Sequence, residues 1–381
     1  MAFDLRSLAV ATAGFAAFVN LYSPQALLPR LAAEFRVGPS EISTLMTAGT
    51  AAIALSAPFS GALADVTGRK RLITAAMFAI VVPTVVMTFA GSVAQLAFWR
   101  FVQGLLLPPI FAVAVAYIGD EWPPSDVTRV AGIYISGSSV GGFCGRFIPG
   151  LLTDAIGWRS AIQVVALITF SAAVLVAVTL PMERNFVRSG GLVLSLGQMV
   201  KHFRNRRLVA TYAIGFGVLF NFIATFTYVS FHLAAPPYLF SPTLLGALFL
   251  TYLVSSPIVP WVGRAIALFG RPPFVLGIIA LWIAGALLLL APLVAVIIVG
   301  LTLCAVCGMV CQAVSTGYVT LTAKDGRSSA VGLYASIYYI GGSAGAFLTG
   351  LAWASAGWAG CVALIVVAQA IMALIVAIAW D

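Results

Sequence analysis

The sequence predicts an all-α polytopic membrane protein with twelve transmembrane helices in two pseudo-symmetric six-helix bundles. Three observations support this fold class: the apolar composition, twelve separate apolar stretches, and an internal repeat. Of the 381 residues, 62% are hydrophobic and 8% are charged, whereas soluble domains carry about 25% charged residues. We therefore expect nearly the whole chain to lie in the membrane.

Each apolar stretch is long enough to cross the membrane, since a helix needs about 20 apolar residues to span the hydrocarbon core. The first stretch contains the polar residues Asn20 and Gln25 and is longer than a cleavable signal core, so we expect it to stay in the mature protein. The expected spans are residues 7–29, 42–64, 72–91, 94–118, 128–152, 159–180, 208–232, 242–262, 274–291, 293–317, 328–352 and 359–380.

The second half of the chain repeats the first. Eleven positions from Gly132 to Trp158 carry the same residue type as the position 200 residues later. We expect an N-terminal bundle at residues 1–180, a basic cytoplasmic linker at 181–207 and a C-terminal bundle at 208–381. The linker contains six lysine or arginine residues and one acid, Glu183, which predicts that it lies on the anionic inner leaflet.

The basic residues predict the orientation of the chain. With the amino terminus in the cytoplasm, fifteen loop lysines and arginines lie inside and three lie outside. This asymmetry satisfies the positive-inside rule, so we expect both termini in the cytoplasm of a bacterial inner membrane. The net charge of +9 is spread over loops and predicts no nucleic-acid partner.

A short charged turn between the second and third spans has a distinctive order, G-x-L-x-D-x-x-G-R-K-R from Gly61 to Arg71. This order resembles the loop 2–3 signature of the major facilitator superfamily of secondary transporters. The resemblance implies the major facilitator fold. We expect a cytoplasmic gate in which Asp65 accepts hydrogen bonds from a helix amino terminus and Arg69 pairs with Asp120 or Glu121. The predicted gating residues are Gly61, Asp65, Gly68, Arg69 and Asp120.

Two further motifs extend the resemblance. The fourth span has the order L-x-x-x-R-x-x-Q-G from Leu96 to Gly104, which resembles the fourth-helix motif of the superfamily. The fifth span contains Gly137, Gly141 and Gly145, and resembles the fifth-helix motif of drug/proton antiporters, with Ser138 in place of the usual proline. The resemblance implies the twelve-helix drug/proton antiporter, or sugar/drug efflux, branch of bacterial inner membranes.

The superfamily plan implies that helices 1, 4, 7 and 10 line a substrate cavity. Arg146 is anomalous because its counterpart in the repeat is Ala346, and a charge within the membrane costs about 2.5–3.5 kcal/mol. Asp154 is its nearest acidic partner in the sequence, and an anionic substrate group is the alternative. The predicted cavity residues are Asn20, Gln25, Arg100, Gln103, Arg146, Asn221, Tyr228, Gln312, Tyr318 and Tyr338.

These features predict a secondary active transporter that moves a small organic solute across the inner membrane by alternating access, as proton-coupled efflux. The alternative is an organic-anion transporter or uniporter that uses Arg100 and Arg146 without protons, because no acid lies in the middle of a span. We find no H-E-x-x-H motif and no nucleophile elbow, so we expect no enzymatic activity, catalytic residue, metal or cofactor. The expected partners are a small-molecule substrate, protons and membrane lipid, and the expected state is a monomer.

Overall fold

The computed structural model describes residues 4–184, 201–255, 257–323 and 327–380. These residues form α-helices, short 3-10 helices and connecting turns, and none of them lies in a β-strand. The all-helical fold class is therefore confirmed. Residues 185–200, the central part of the predicted basic linker, lie outside the described residues.

The helices follow one another with short connections. Those before residue 184 are α1 (Leu5–Tyr22), α2 (Leu28–Phe35), α3 (Pro39–Ile42), α4 (Thr44–Thr67), α5 (Arg69–Ala79), α6 (Val81–Val86), α7 (Val93–Leu106), α8 (Pro108–Glu121), α9 (Pro124–Ile156) and α10 (Trp158–Thr179). Those after residue 200 are α11 (Arg206–Ala234), α12 (Pro242–Ala247), α13 (Val262–Phe269), α14 (Arg271–Leu288), α15 (Val294–Thr322) and α16 (Arg327–Ala379). Short 3-10 helices lie at Gln25–Leu27, Met87–Phe89, Leu248–Ser255 and Val259–Trp261.

The described helices account for the twelve predicted spans. Ten helical stretches are long and apolar enough to cross a membrane. One of them includes α16, where Ala356 and Gly357 leave the helical conformation, so that its 53 residues correspond to two spans. The remaining predicted span corresponds to α9, which has 33 residues.

The chain divides into two compact units. Unit 1 contains Met1–Phe35, Ala51–Leu192 and Phe240–Ala247, and unit 2 contains Arg36–Thr50, Val193–Leu239 and Leu248–Asp381. Each unit therefore includes one short segment that is distant from the rest of it in sequence. In unit 1 this segment is α12 with its preceding turn, and in unit 2 it is α3 with the beginning of α4.

The glycine stripe of α9 packs directly on α1. A Cβ atom added to Gly137, Gly141 or Gly145 would meet the backbone of Ala11, Phe15 or Val19, respectively. Small residues at a spacing of four let two membrane helices approach this closely.

The repeat reproduces this packing in unit 2. Gly341 and Gly345 of α16 lie against the backbone of Phe216 and Phe220 of α11. The stripe is offset by 200 residues between the copies, whereas the facing helices are offset by 201. The internal repeat seen in the sequence therefore corresponds to one helix contact built twice.

Candidate functional site

Buried polar side chains from four helices form a cluster around Asn20 in unit 1. The Asn20 amide donates to Thr169 Oγ1 at 2.8 Å, and its carbonyl oxygen accepts from Thr84 at 3.0 Å and from Gln103 at 3.0 Å. Gln103 also donates to Thr84 Oγ1 at 2.8 Å. Each of these four side chains is at most 1% exposed, so the network joins α1, α6, α7 and α10 within an apolar core, where unpartnered polar groups would be costly.

Arg100 adds a buried positive charge to this cluster. Its guanidinium group, 1% exposed, donates to the main-chain oxygens of Asn20 at 3.0 Å and Leu21 at 2.8 Å, and to the Gln103 side chain. The Asn20 carbonyl has no helical donor four residues on, because Pro24 lacks an N–H group. Arg100 therefore caps the end of α1, where the helix dipole favours a cation.

Arg146 occupies a second polar site in unit 1. It is 4% exposed and donates to Gln25 Oε1 at 2.8 Å and to the Gly142 carbonyl at 2.7 Å. Its ζ carbon lies 3.6 Å from the centre of the Tyr22 ring, a distance typical of a strong cation–π contact. A cation, an amide and an aromatic ring thus meet where α1 gives way to the 3-10 helix Gln25–Leu27.

The expected pairing of Arg146 with Asp154 is wrong. Asp154 instead accepts hydrogen bonds from the Thr243 amide at 2.9 Å and from the Thr243 hydroxyl. Sequence reasoning also missed Tyr22 as a partner of Arg146. Its place in the polar, proline-broken end of the first span, three residues before Gln25, was a signal that could have identified it.

Asn221 is the counterpart of Asn20 in unit 2. It is fully buried and donates to the Gly217 carbonyl at 2.7 Å, as Asn20 donates to the Ala16 carbonyl at 2.8 Å. The two asparagines are 201 residues apart, so a search at an offset of 200 does not pair them. Asn221 also contacts Met372 Sδ at 3.5 Å, and no described residue bonds to its side-chain oxygen.

Tyr228 anchors another part of unit 2. Its hydroxyl donates to Ser43 Oγ at 2.7 Å and to the Ala346 carbonyl at 2.8 Å, and the side chain is fully buried. It therefore joins α11 to α16 and to the turn between α3 and α4, a turn that belongs to unit 2.

The other predicted cavity residues of unit 2 have separate surroundings. Tyr318 lies 4.3 Å beneath the guanidinium of Arg271 and contacts the Trp380 ring at 5.0 Å. Tyr338 is half-buried between two further tyrosine rings of α16. Gln312 is half-buried on α15. The predicted residues thus meet in two polar sites in unit 1 and are dispersed in unit 2.

The predicted gating turn forms a charged cluster at one end of unit 1. Arg69 makes an ion pair with Asp120, one of its two expected partners. Glu183 accepts hydrogen bonds from the main-chain amides of Arg69 at 3.0 Å and Lys70 at 3.3 Å. Gly68 has a φ of 88°, which favours glycine and lets the chain reverse between α4 and α5.

Glu183 is the functional candidate that sequence reasoning missed in this cluster. A carboxylate at a helix amino terminus satisfies free N–H groups and complements the dipole. Its position as the only acid of a basic linker was the available signal. Of the other gating residues, Asp65 is half-buried near the end of α4, and Gly61 is exposed with no described atom within 4 Å of an added Cβ.

The interior of the described chain contains basic but not acidic side chains. Arg100 and Arg146 are buried, and no aspartate or glutamate among the described residues is. The acids of the gating cluster are half-buried at helix ends. A site built from these residues can bind a polar or anionic group, and proton exchange within the described part would have to use acids at helix ends.

Comparison with known proteins is consistent with this architecture. Residues 10–262 match the model of the Major Facilitator Superfamily. The chain is 31% identical to the uncharacterized MFS-type transporter YybF of Bacillus subtilis (strain 168), covering 93% of this chain and 88% of YybF. It is also 31% identical to the inner membrane transport protein YnfM of Escherichia coli (strain K12), covering 94% of this chain and 86% of YnfM.

Among solved structures, the nucleoside transporter NupG has the same fold. It aligns with a TM-score of 0.78 at 13% identity, covering 98% of this chain and 100% of NupG. At this identity the likeness concerns the fold alone. The family match and the near full-length relatives are all transporters, and no enzyme is among them. The chain therefore belongs to the Major Facilitator Superfamily and is a multi-pass membrane transporter of small molecules, not an enzyme.

Proposed function

We propose that this transporter exports a small amphipathic organic compound by proton-coupled alternating access. The observation that carries this proposal is the contact between α9 and α1. The α9 glycines in the stretch that resembles the antiporter motif lie directly against the α1 backbone. The contact holds α1 at a short distance from Arg146, so that the polar end of the first span lies beside the only buried charge of α9.

The proposed substrate contacts centre on Arg146, Gln25 and Tyr22. A guanidinium, an amide and an aromatic ring in direct contact suit a solute that has both polar and flat apolar parts. The remaining proposed cavity residues are Asn20, Arg100, Gln103, Asn221, Tyr228, Gln312, Tyr318 and Tyr338. Of these, Arg100 has its donors on main-chain oxygens and Gln103, which supports a role in shaping α1.

The proposed cytoplasmic gate consists of Gly61, Asp65, Gly68, Arg69 and Asp120. The Arg69–Asp120 ion pair supports this assignment, and we add Glu183, which bonds the beginning of the linker to the beginning of α5. Asp65 and Asp120 are half-buried acids in this cluster. They are the proposed sites of proton exchange, because a proton-coupled transporter needs a group that gains and loses a proton.

A second candidate function is an organic-anion transporter or uniporter without proton coupling. The observation that favours it is the combination of two buried arginines with no buried acid among the described residues. Because the donors of Arg100 face the end of α1, Arg146 is the better candidate for contact with an anionic group. In this case the substrate charge would replace part of the hydration that burial removes from the guanidinium.

We place the transporter in a bacterial inner membrane as a monomer, with both termini in the cytoplasm. The distribution of basic residues among the loops supports this orientation. The proposed moving halves are residues 1–180 and 208–381, and residues 181–207 are the proposed linker.

Proteoliposomes loaded with a pH-sensitive dye test both candidates. The substrates are panels of organic cations, neutral sugars and organic anions, added to the wild type, to Arg146→Gln and to the control Arg30→Gln, which removes an exposed arginine. Proton movement driven by cations or neutral compounds would support proton-coupled export.

The outcomes of this experiment separate the two candidates. Uptake of radiolabelled anions without proton movement, lost in Arg146→Gln and kept in Arg30→Gln, would overturn the export proposal and establish the second candidate. Equal activity of Arg146→Gln and the wild type on every compound would exclude Arg146 from both.

A further inference from the structure

An apolar crevice of about 510 Å³ lies in unit 2, between α11 and the C-terminal part of α16. Its volume falls within the range of about 300–1,000 Å³ that small-molecule pockets occupy. Its wall includes Val209, Ala213, Phe216 and Phe220 of α11 and Ala368 and Met372 of α16. The α11 residues recur every three or four positions, so the crevice follows one face of that helix.

The length of the crevice matches one leaflet of a bilayer. From Val209 to Phe220 the helix rises about 16 Å at 1.5 Å per residue. This is about half of the 30 Å hydrocarbon core of a membrane. Because α11 begins at Arg206, the crevice begins at the first turn of the span and extends toward the middle of the membrane. An extended acyl chain of that leaflet therefore has the right length to lie in it.

One polar group faces the crevice without a partner. Tyr212 lines the crevice and is 2% exposed, and no described residue forms a hydrogen bond with its hydroxyl. Buried hydroxyl groups are nearly always hydrogen-bonded in native proteins. Tyr212 lies between Val209 and Ala213, near the end of the crevice where α11 begins. A ligand that fills the crevice should therefore carry a hydrogen-bond acceptor at that end.

A cluster of positive charges lies at the same end. Lys201, Arg204 and Arg206 are exposed, and none of them makes an ion pair with an acid in the part of the chain that the structure describes. Arg206 precedes Val209 by three residues and so shares its face of α11. Phe203 lines the crevice and contacts the Tyr212 ring, with 6.4 Å between centroids.

We propose that this crevice binds one acyl chain of an anionic glycerophospholipid. In the proposed complex, the Tyr212 hydroxyl donates a hydrogen bond to an ester carbonyl oxygen, and Arg206 with Lys201 and Arg204 contacts the phosphate headgroup. The three features occur in the order in which a phospholipid presents its parts: charge, then ester, then chain. A purely apolar ligand would satisfy neither the hydroxyl nor the charges. The site is independent of which solute is transported.

Lipid titration by native mass spectrometry tests the proposal. The full chain is delipidated in detergent and titrated with palmitoyl-oleoyl phosphatidylglycerol or with the phosphatidylcholine of the same chains. We expect one tight site that prefers phosphatidylglycerol. Arg206→Gln should weaken phosphatidylglycerol about fivefold, the contribution of one basic residue near an anionic membrane surface, and leave phosphatidylcholine unchanged.

Two further variants test the rest of the site. Tyr212→Phe should weaken both lipids by a similar factor, about fivefold for the loss of one hydrogen bond. Ala368→Phe fills the crevice and should abolish the tight site. The matched controls are Arg264→Gln, an exposed arginine of the same unit, and Ala363→Phe, an exposed position of α16 outside the crevice. Both should bind as the wild type does, and thermal unfolding identifies any variant that is misfolded.

Several results would overturn the proposal. Equal affinity of the wild type for the two lipids would refute the role of the charge cluster. Unchanged binding in folded Ala368→Phe would place the lipid elsewhere. Binding of an apolar solute that phosphatidylglycerol does not displace, and that Ala368→Phe abolishes, would assign the crevice to a different occupant.

Discussion

Replacement of Gly141 by alanine tests the close contact between α9 and α1. A Cβ atom at this position would lie 2.7 Å from Phe15 Cα and 2.9 Å from the Phe15 carbonyl carbon, and closer still to the carbonyl oxygen. All three are backbone atoms, so only a movement of one helix can relieve the overlap. Ordinary contacts begin at 3.4 Å, so the helices must separate by about 0.7 Å at this point.

The magnitude follows from two opposing effects. Overpacking of a close contact costs about 1–3 kcal/mol, and a gap of this size forfeits about a quarter to a half of the dispersion attraction of the facing atoms. Alanine recovers up to about 1 kcal/mol because it is a better helix former than glycine. We therefore expect Gly141→Ala to lower the free energy of unfolding by about 1–2 kcal/mol.

The assay is thermal unfolding of the full chain in detergent, with Gly132→Ala as the matched control. Gly132 lies in the same helix, and no described atom is within 4 Å of its added Cβ, so the control should have the same midpoint as the wild type or a higher one. Gly141→Ala should unfold several degrees lower. Gly341→Ala should behave like Gly141→Ala, because an added Cβ there meets the Phe216 backbone. Equal midpoints for Gly132→Ala and Gly141→Ala would refute the reasoning.

Two further substitutions test contacts that the sequence did not predict. Glu183→Gln removes the negative charge at the two amides that begin α5 and should cost about 0.3–1 kcal/mol; a thermal midpoint equal to that of the wild type would show that the carboxylate does not stabilise this turn. Tyr228→Phe removes the buried hydroxyl that joins Ser43 to the Ala346 carbonyl and should cost about 1–3 kcal/mol. The control Tyr238→Phe removes an exposed hydroxyl and should change stability by less than about 0.5 kcal/mol, so equal losses in the two variants would contradict the role of burial.

The glycine stripe shows how far sequence reasoning reached. A spacing of four and the offset of 200 residues identified Gly141 and Gly341 as equivalent positions at a helix contact. Neither observation identified the partner helix. The facing residues Phe15 and Phe216 are offset by 201, which hides the pairing from a search at a constant offset.

The buried arginines show where sequence reasoning stopped. Arg100 and Arg146 could be recognised because a charge inside an apolar helix is costly and needs a compensating contact. Their partners could not be recognised in the same way. Arg100 bonds to main-chain oxygens, which have no sequence signature, and Arg146 turns away from the nearest acid toward Gln25 and Tyr22.

The sequence by itself determined the class of protein, the spans, the internal repeat and the family. These properties depend on composition, on the length of apolar segments and on the spacing of a few motif residues, all of which are local. Only the tertiary structure decided which groups neutralise the buried arginines, that Glu183 completes the gating cluster, and that Arg36–Thr50 belongs to unit 2. These contacts join residues that are far apart in the chain. They depend on where each helix breaks and on which backbone groups the break leaves unsatisfied, as at Pro24 beside Arg100.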